Sequence, residues 1–300
     1  MAVGQGLCYK RNTNETMNAS HAKDCAHFWV DHDLGGLECL SATYVNHRFA
    51  PHAHEEFVIG VIQAGAQRVR LRGGHEVLPE HTMCVINPGE LHTGHAATEA
   101  GWSYRVIYPR PSLLSGIAEQ LTERRMDMPY FRDIILRDQY LVSQFFALYA
   151  ALECDSSTSL AKESLLTFNL AQMILRYARP RSPKASNSRP SAGILRAREL
   201  LRAEYNRPVG LNELAKTACM SPYHFLRSFS ARFGITPHVY QLQQRVAAAK
   251  RLLSTGLALT EVADQTGFVD QSHLTNRFKA VVGVTPGAFR KMSKNLQDGR

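Results

Sequence analysis

Short apolar runs broken by glycine and proline dominate residues 40–110, whereas apolar residues at three- and four-residue intervals follow from about 112 to 178. In one run, Val69 and Leu71 fall on one side of the chain and three arginines fall on the other. Such alternation predicts half-buried strands, and several short strands favour a sandwich or barrel. The predicted strands are FVIGVIQAG (57–65, ending at a glycine turn), QRVRLRGG (67–74), TMCVINPGE (82–90) and WSYRVIYP (102–109).

Two helices are predicted after the strands, LVSQFFALYAAL (141–152) and LAKESLLTFNLAQMILRYA (160–178). The second helix carries more apolar residues than one packed face needs. Covering the barrel explains this excess, and a homodimer contact within 141–178 explains it equally well. The residues concerned are Leu165, Leu166, Phe168, Leu170, Met173 and Ile174.

One sequence pattern occurs twice in the C-terminal third of the chain. CMSPYHFLRSFSARFGITPHVY (219–240) and GFVDQSHLTNRFKAVVGVTPGAFR (267–290) share a helix, a glycine, Thr-Pro and an aromatic residue in the same order. Equivalent residues of the two copies are 48 positions apart at the start, where Leu211 matches Leu259. After one inserted residue they are 49 positions apart, so that His224 matches His273. So many matches at nearly one offset indicate an internal duplication.

Each copy has the pattern of a helix-turn-helix. Short helices are predicted at 211–218 and 259–266, and Gly267 after the second suits a left-handed C-terminal cap. Ser221, followed by Pro222, and Asp270 in the other copy are the predicted N-caps of the next helices.

The second helix of each copy has an apolar face and a polar face. Phe225, Phe229 and Phe233 are predicted to pack inward in the first copy, and Leu274, Phe278 and Val281 in the second. Amide, hydroxyl and guanidinium groups on the other faces can bond to base edges in the major groove. The segment 237–254 between the copies is predicted to be one helix about 27 Å long. This is close to the ~34 Å between successive major-groove faces on one side of B-DNA.

The charge distribution supports a division of the chain. Residues 191–300 carry 16 Lys and Arg against seven Asp and Glu, a net charge of +9. Residues 1–176 carry 15 against 19, a net charge of −4, which the four basic residues of 177–190 cancel. A basic module attached to a mildly acidic one is typical of a nucleic-acid-binding domain with a separate sensor. YARPRSPKASNSRPSAG (177–193) is rich in Pro, Ser and basic residues without apolar periodicity, so we predict a linker there. The predicted domains are 1–176 and 194–300.

Composition excludes several other classes of protein. With 44% hydrophobic residues the chain is expected to fold. No apolar run approaches the ~18 residues of a membrane span, and the Met1 end lacks a signal-peptide pattern, so a cytoplasmic location is expected. Six scattered cysteines without a CxxC are interpreted as small buried hydrophobic residues. An α+β fold is therefore predicted, with a β-barrel, a helical appendage and an all-α domain of two helix-turn-helix motifs joined by a long helix.

The duplicated region resembles the AraC/XylS family of bacterial transcription regulators. The residues that carry the resemblance are ILRAREL near 194–200, LNELAKTACMSPYHFLRSF, the Arg245–Leu253 segment and GF…SHLTNRFK…GVTPGAFR. The resemblance implies an activator that binds promoter DNA, a small-molecule effector and RNA polymerase. Family members often carry Arg where Asn276 stands, and here the arginine is Arg277. The residues expected at DNA are Tyr223, His224, Leu226, Arg227, Gln271, Ser272, His273, Thr275, Asn276 and Arg277.

The N-terminal part resembles the cupin-like effector-binding barrel of such regulators, through HAHEEFVIGVIQAG (52–65) and NPGELHTG (87–94). Ten of the 13 histidines precede residue 100. The two histidines of an H-x-H pair point to the same side of a strand and can coordinate one metal ion. However, the position of the usual cupin acid is Val58. We therefore expect a polar pocket without metal or other cofactor; any ion would use His52, His54 and His92. The expected effector-binding residues are His52, His54, Glu56 and Arg105.

Two other functions are compatible with the sequence. A cupin-type metalloenzyme with an accessory nucleic-acid-binding domain would use the histidines for catalysis. A nucleoid-type architectural protein would bind DNA without an effector. No Ser/His/Asp pattern, Walker loop or dinucleotide-binding glycine pattern is present, and a non-enzymatic regulator is the interpretation that we favour.

Overall fold

The computed structural model describes residues 24–122, 128–154, 156–179 and 192–294. The N-terminal part is built on antiparallel strands. These strands are β1 (Cys25–Asp31), β2 (Leu37–Tyr44), β3 (Arg48–His52), β4 (Val58–Leu71), β5 (Gly74–Pro79), β6 (Met83–Ile86), β7 (His92–Ala96), β8 (Trp102–Tyr108), β9 (Tyr130–Phe131), β10 (Ile135–Leu136) and β11 (Ala178–Arg179).

Strand β4 belongs to both faces of a curled, cupin-like sheet. Its first half pairs with β6 and β8, and its second half pairs with β5 and β7. The described strands do not close into a complete barrel, because β1 and β10 end the path β1-β2-β8-β4-β6-β10. The inward face of β4 includes Val69 and Leu71, while Arg68 and Arg70 are exposed, as the alternation predicts.

The predicted glycine turn at Gly65 is wrong. The chain continues through Gly65 as one 14-residue strand, and the register with β8 shifts between Ile62 and Ala64. Gly65 has φ +71°, and a Cβ there would lie 2.3 Å from the Gly101 carbonyl oxygen. This glycine therefore allows a bulge that redirects the strand from one face of the sheet to the other.

The described residues after the main strands form three helices, α1 (Pro111–Thr122), α2 (Gln139–Glu153) and α3 (Ser159–Tyr177). Leu166, Leu170 and Met173 of α3 are buried in a cluster with Trp29 and Ile59 of the sheet. The helices therefore cover the outer face of the sheet, as one of the two interpretations of 141–178 predicts. Three apolar side chains of α3 nevertheless stay exposed, at Leu160, Phe168 and Leu175.

Seven helices form the C-terminal part within residues 192–294, and the predicted helix-turn-helix pattern is confirmed. They are α4 (Ala192–Ala203), α5 (Leu211–Ala218), α6 (Pro222–Phe233), α7 (Pro237–Ser254), α8 (Leu259–Gln265), α9 (Gln271–Val282) and α10 (Pro286–Lys294). Gly267 has φ +74°, and a Cβ there would lie 2.1 Å from the Asn206 carbonyl oxygen. The first copy places Cys219 in the same left-handed region, with φ +55°.

Other predicted features have mixed outcomes. Of the predicted linker 177–193, residues 180–191 lie outside the described residues, as does Cys8. Cys39 and Cys84 are buried as predicted, but Cys25 and Cys219 are exposed, which contradicts the interpretation of all cysteines as buried. No helix among the described residues is long and apolar enough to cross a bilayer.

The second helix-turn-helix packs against the inner face of the sheet. Phe278 and Phe289 belong to the same buried cluster as Phe28, Tyr44 and Trp102, whereas the first helix-turn-helix has a separate core around Phe225 and Phe229. One hydrophobic cluster thus joins the N-terminal sheet to one half of the C-terminal domain.

Candidate DNA-reading surface and ligand cavity

Helix α6 presents the first candidate reading surface. The Ser221 hydroxyl accepts from the His224 N–H at 3.4 Å and caps the helix, and Phe225 and Phe229 bury its inner face. Tyr223 is 75% exposed, and His224 and Arg227 are also exposed. Leu226 is half-buried. The described surface of α6 therefore offers aromatic, imidazole and guanidinium groups to solvent side by side.

Helix α9 presents the second surface. Asp270 caps it by accepting from the His273 N–H at 2.7 Å. Gln271, Ser272, Asn276 and Arg277 are exposed, and His273 and Thr275 are half-buried, the His273 ring lying against Phe268. The apolar residues that are buried are Leu274, Phe278 and Val282. Val281, which was predicted to pack inward, is half-buried against the same cluster and also faces the sheet.

Arg245 of α7 connects the two halves of the helical domain. Its guanidinium donates to the Tyr205 carbonyl at 2.7 Å, to the Arg207 carbonyl at 3.2 Å and to the Gly267 carbonyl. Gln241, one turn earlier, also donates to Arg207 O, at 2.7 Å. Burial lowers the pKa of Arg245, but the group stays charged at neutral pH. These bonds fix the turn before α9 relative to the loop before α5.

The sheet holds the end of α9 through specific contacts. The Tyr44 hydroxyl donates to the Gly283 carbonyl at 3.0 Å, and the rings of Phe28 and Phe289 lie 4.8 Å apart. Lys250 of α7 forms an ion pair with Glu38 of β2. Helix α9 therefore exposes Gln271 to solvent at its N-terminal end and packs against the sheet at its C-terminal end.

A cavity of about 50 Å³ lies between the inner face of the sheet and Val281 of α9. His52, His54 and His92 line it, together with Cys84, Tyr104, Tyr108 and several apolar side chains. His52 and His92 are register partners on β3 and β7, and their ring centroids are 4.3 Å apart. Burial and the neighbouring His92 lower the pKa of His52 to about 3, and burial also lowers the pKa of His54 and His92. All three imidazoles are neutral at pH 7.

A larger cleft of about 740 Å³ separates the sheet from the helical domain. The sheet side carries carboxylates, and burial raises the pKa of one of them, Glu56, despite the nearby Lys250. The helical side carries several cations. The charged residues of the cleft are Glu38, Glu55, Glu56, Arg110, Arg198, Arg202, Arg232, Lys250 and Arg251.

Two family models match the chain. The AraC-like ligand binding domain matches residues 34–168, and a helix-turn-helix domain matches residues 214–292. A relative in Bacillus subtilis, the uncharacterized HTH-type transcriptional regulator YbfI, is 30% identical over 79% of this chain and 86% of its own length. The chain belongs to the AraC family of transcription regulators. This regulator therefore combines a ligand-binding domain with a helix-turn-helix DNA-binding domain.

Other comparisons cover nearly the whole regulator. The Msm operon regulatory protein of Streptococcus mutans is 26% identical over 93% of this chain and 99% of its own length. Apo ToxT K231A from Vibrio cholerae has a similar fold, with a TM-score of 0.54 at 11% identity, over 91% of this chain and 98% of that one. ToxT bound to an unsaturated fatty acid has a TM-score of 0.51 at 11% identity, over 90% and 94%.

The predicted effector-binding residues of this AraC-family regulator lie in three different places. His52 and His54 line the small cavity, and Glu56 lines the interdomain cleft. Arg105 lies on the other side of β8, where it pairs with Glu153 at 3.5 Å and stacks on Tyr149. The structure thus does not bring Arg105 together with the histidines.

The residues that sequence reasoning missed are Tyr104, Tyr108, Cys84 and Val281 in the small cavity. Strict alternation along WSYRVIY places Tyr104 and Val106 on the opposite side from Arg105, so this signal was present in the sequence. The position of Val281 depends on domain docking, which no local pattern reports.

Proposed function

We propose that this regulator binds promoter DNA through the exposed faces of α6 and α9, and that a bound small molecule changes this binding. The observation that carries the proposal is the double role of α9. Gln271 and Asn276 face solvent, while Val281 lines both the small cavity and the interdomain cleft. A ligand in the cleft that moves this wall therefore acts directly on a DNA-reading helix. The proposed DNA contacts are Tyr223, His224, Leu226, Arg227, Gln271, Ser272, His273, Thr275, Asn276 and Arg277.

We assign the organic effector to the interdomain cleft. Sites for small molecules occupy about 300–1,000 Å³, and the cleft of about 740 Å³ falls in this range whereas the cavity of about 50 Å³ does not. Arg198, Arg202 and Lys250 line the cleft and suit a carboxylate. ToxT, a protein of the same fold, has been crystallised with a bound unsaturated fatty acid, which is a ligand of this chemical kind.

The same volumes disfavour the metalloenzyme alternative, because the space beside the histidines leaves no room for an organic substrate. We infer a non-enzymatic activator that contacts RNA polymerase in the cytoplasm, as the family resemblance implies. We also propose the domain limits 1–176 and 194–300 with a linker at 177–193. A homodimer contact through α3 is proposed because Leu160 is 73% exposed and Leu175 is 58% exposed.

Selection and sequencing of genomic DNA fragments that bind the purified full chain would supply the operator. On that operator we expect Arg227→Ala and Asn276→Ala each to cost about 1–3 kcal/mol, or roughly 5- to 150-fold in affinity, and to relax base preference at one position each. The measurement is fluorescence anisotropy with specific and mutated operators at fixed salt.

Arg68→Ala is the matched control, because Arg68 is an exposed arginine on the outer face of β4. It should leave operator affinity unchanged. Equal weakening on specific and unrelated DNA would make Arg227 a phosphate contact instead of a base-reading residue. Unchanged affinity in both α6 and α9 variants would contradict the proposed reading surface.

A further inference from the structure

We propose that His52, His54 and His92 form a binding site for a divalent transition-metal ion of the zinc class. One ring nitrogen from each of the three histidines lies within 4.8 Å of the other two, and all three side chains line the small cavity. The strand register places His52 opposite His92, and His54 follows two residues later, so the sheet itself assembles the set. This inference does not depend on DNA binding or on the organic effector.

Hydrogen bonds to the main chain prepare two of the histidines as ligands. The Nδ1 atom of His52 lies 2.7 Å from the Ala50 carbonyl oxygen, and Nδ1 of His92 lies 3.0 Å from the Glu90 carbonyl oxygen. A carbonyl oxygen can only accept, so each Nδ1 carries the proton and each Nε2 keeps a free lone pair. Metal-ligating histidines are oriented by the same kind of bond.

The distances require only a small contraction. Nitrogen ligands about 2.1 Å from zinc in tetrahedral geometry lie roughly 3.4 Å apart, so the nitrogens, which lie within 4.8 Å of one another, must approach by at most about 1.4 Å. The ring centroids are 4.3 to 5.4 Å apart, and rotation of the imidazoles can supply this movement.

The donor chemistry selects the class of ion. The described cavity wall includes three imidazoles and no carboxylate, and the Glu90 carboxylate is bound to Arg72. Imidazole ligands suit zinc, copper, nickel and iron, whereas calcium and magnesium need oxygen. Three protein ligands leave one position open. The adjoining space of about 50 Å³ is large enough to admit water, and a water in the open position is what an exogenous donor group would replace.

The test is Co²⁺ titration of the full chain after chelation and dialysis. We expect one Co²⁺ per chain with the intense visible absorption of a four- or five-coordinate site, displaced by Zn²⁺. His52→Ala, His54→Ala and His92→Ala should each weaken Co²⁺ binding more than about 100-fold. Loss of a residue that only hydrogen-bonds to a metal ligand already lowers metal affinity about 10- to 100-fold. His95→Ala is the control, because His95 lies on β7 but does not line the cavity.

Circular dichroism shows whether each variant is folded. If a variant does not fold, wild-type protein alone decides the question: a melting temperature raised by equimolar Zn²⁺ and lowered again by chelator supports the site. Weak six-coordinate Co²⁺ absorption in the wild type, or an intense band that persists in a folded His52/His54 double variant, overturns the proposal. Operator binding by the same preparations separates this outcome from failure of the proposed regulatory function.

Discussion

Gly283 meets two structural requirements at one position. It ends α9 with φ +88°, a conformation that L-residues other than glycine rarely adopt. A Cβ there would lie 2.3 Å from the Tyr44 hydroxyl and 3.2 Å from the Phe49 ring. Its carbonyl also accepts the bond from Tyr44. The residue is therefore both a helix cap and a contact between the DNA-binding domain and the sheet.

Gly283→Ala should lower the free energy of unfolding by about 2–4 kcal/mol, since left-handed strain costs about 1–2 kcal/mol and overpacking adds about 1–3 kcal/mol. Gly73→Ala is a matched control, because Gly73 has φ +81° with nothing within 4 Å of the added carbon. It should cost only about 1–2 kcal/mol. Urea unfolding of both variants measures the difference. Equal losses would show that the Tyr44 contact is absent in solution.

Residue roles were predictable from the sequence where local chemistry decides them. Ser221 and Asp270 cap the helices that their positions indicate, and Gly267 adopts the left-handed conformation that the turn requires. Arg227 and Asn276 are exposed, as a reading residue must be, although their contact with DNA stays a prediction. Arg105 shows the limit of predicting a role from residue type alone. It was predicted to bind the effector because arginine suits a carboxylate, but the alternation of β8 places its side chain on the side away from the histidines.

At the scale of elements, helix α7 is a spacer whose function depends on its attachments. The predicted helix at 237–254 is confirmed, at Pro237–Ser254. Its orientation depends on Arg245, which bridges the carbonyls of Tyr205, Arg207 and Gly267. A half-buried guanidinium shared by three carbonyls holds the loop before the first helix-turn-helix motif against the turn within the second.

Arg245→Met keeps the aliphatic stem but removes these bonds. We expect a loss of about 2–4 kcal/mol in unfolding free energy, because charge-assisted bonds contribute about 1.5–3 kcal/mol and the carbonyls lose their donor. Operator affinity should fall more than affinity for a half-operator, since only the full site requires both motifs in register. Arg251→Met, an exposed position on the same helix, is the control and should change neither quantity. Parallel loss on full and half sites would contradict the bridging role.

Strand β4 shows why element boundaries escaped prediction. The glycine in QAGAQ looks like a hairpin turn, because glycine with φ above zero is common in turns. Here the same backbone freedom produces a bulge, and the strand continues with new partners on its other half. The choice depends on the neighbouring Gly101 segment, which is distant in sequence and contributes no local signal.

The whole molecule differs most from what local patterns predict. Composition and charge predicted two modules, yet one buried cluster unites Phe28 of β1 with Phe278 of α9 and Phe289 of α10. These aromatic residues satisfy the periodicity of their own elements, so nothing in the sequence marks them as interdomain. The cavity and the cleft both arise from this docking. Sequence reasoning therefore found the histidines but not the helix that closes over them.

Self-association is the remaining property of the whole molecule that the exposed surface predicts. Phe168 and Leu175 are seven residues apart on α3, so they lie on one face, and both are exposed while the opposite face covers the sheet. Leu175→Asp should convert a homodimer into a monomer, because a charge in an apolar contact is costly to bury. Val77→Asp on β5, where valine is 42% exposed, is the control and should remain dimeric. Sedimentation velocity distinguishes the monomer from the dimer. A wild-type chain that is monomeric at micromolar concentration would contradict a homodimer contact through the apolar face of α3.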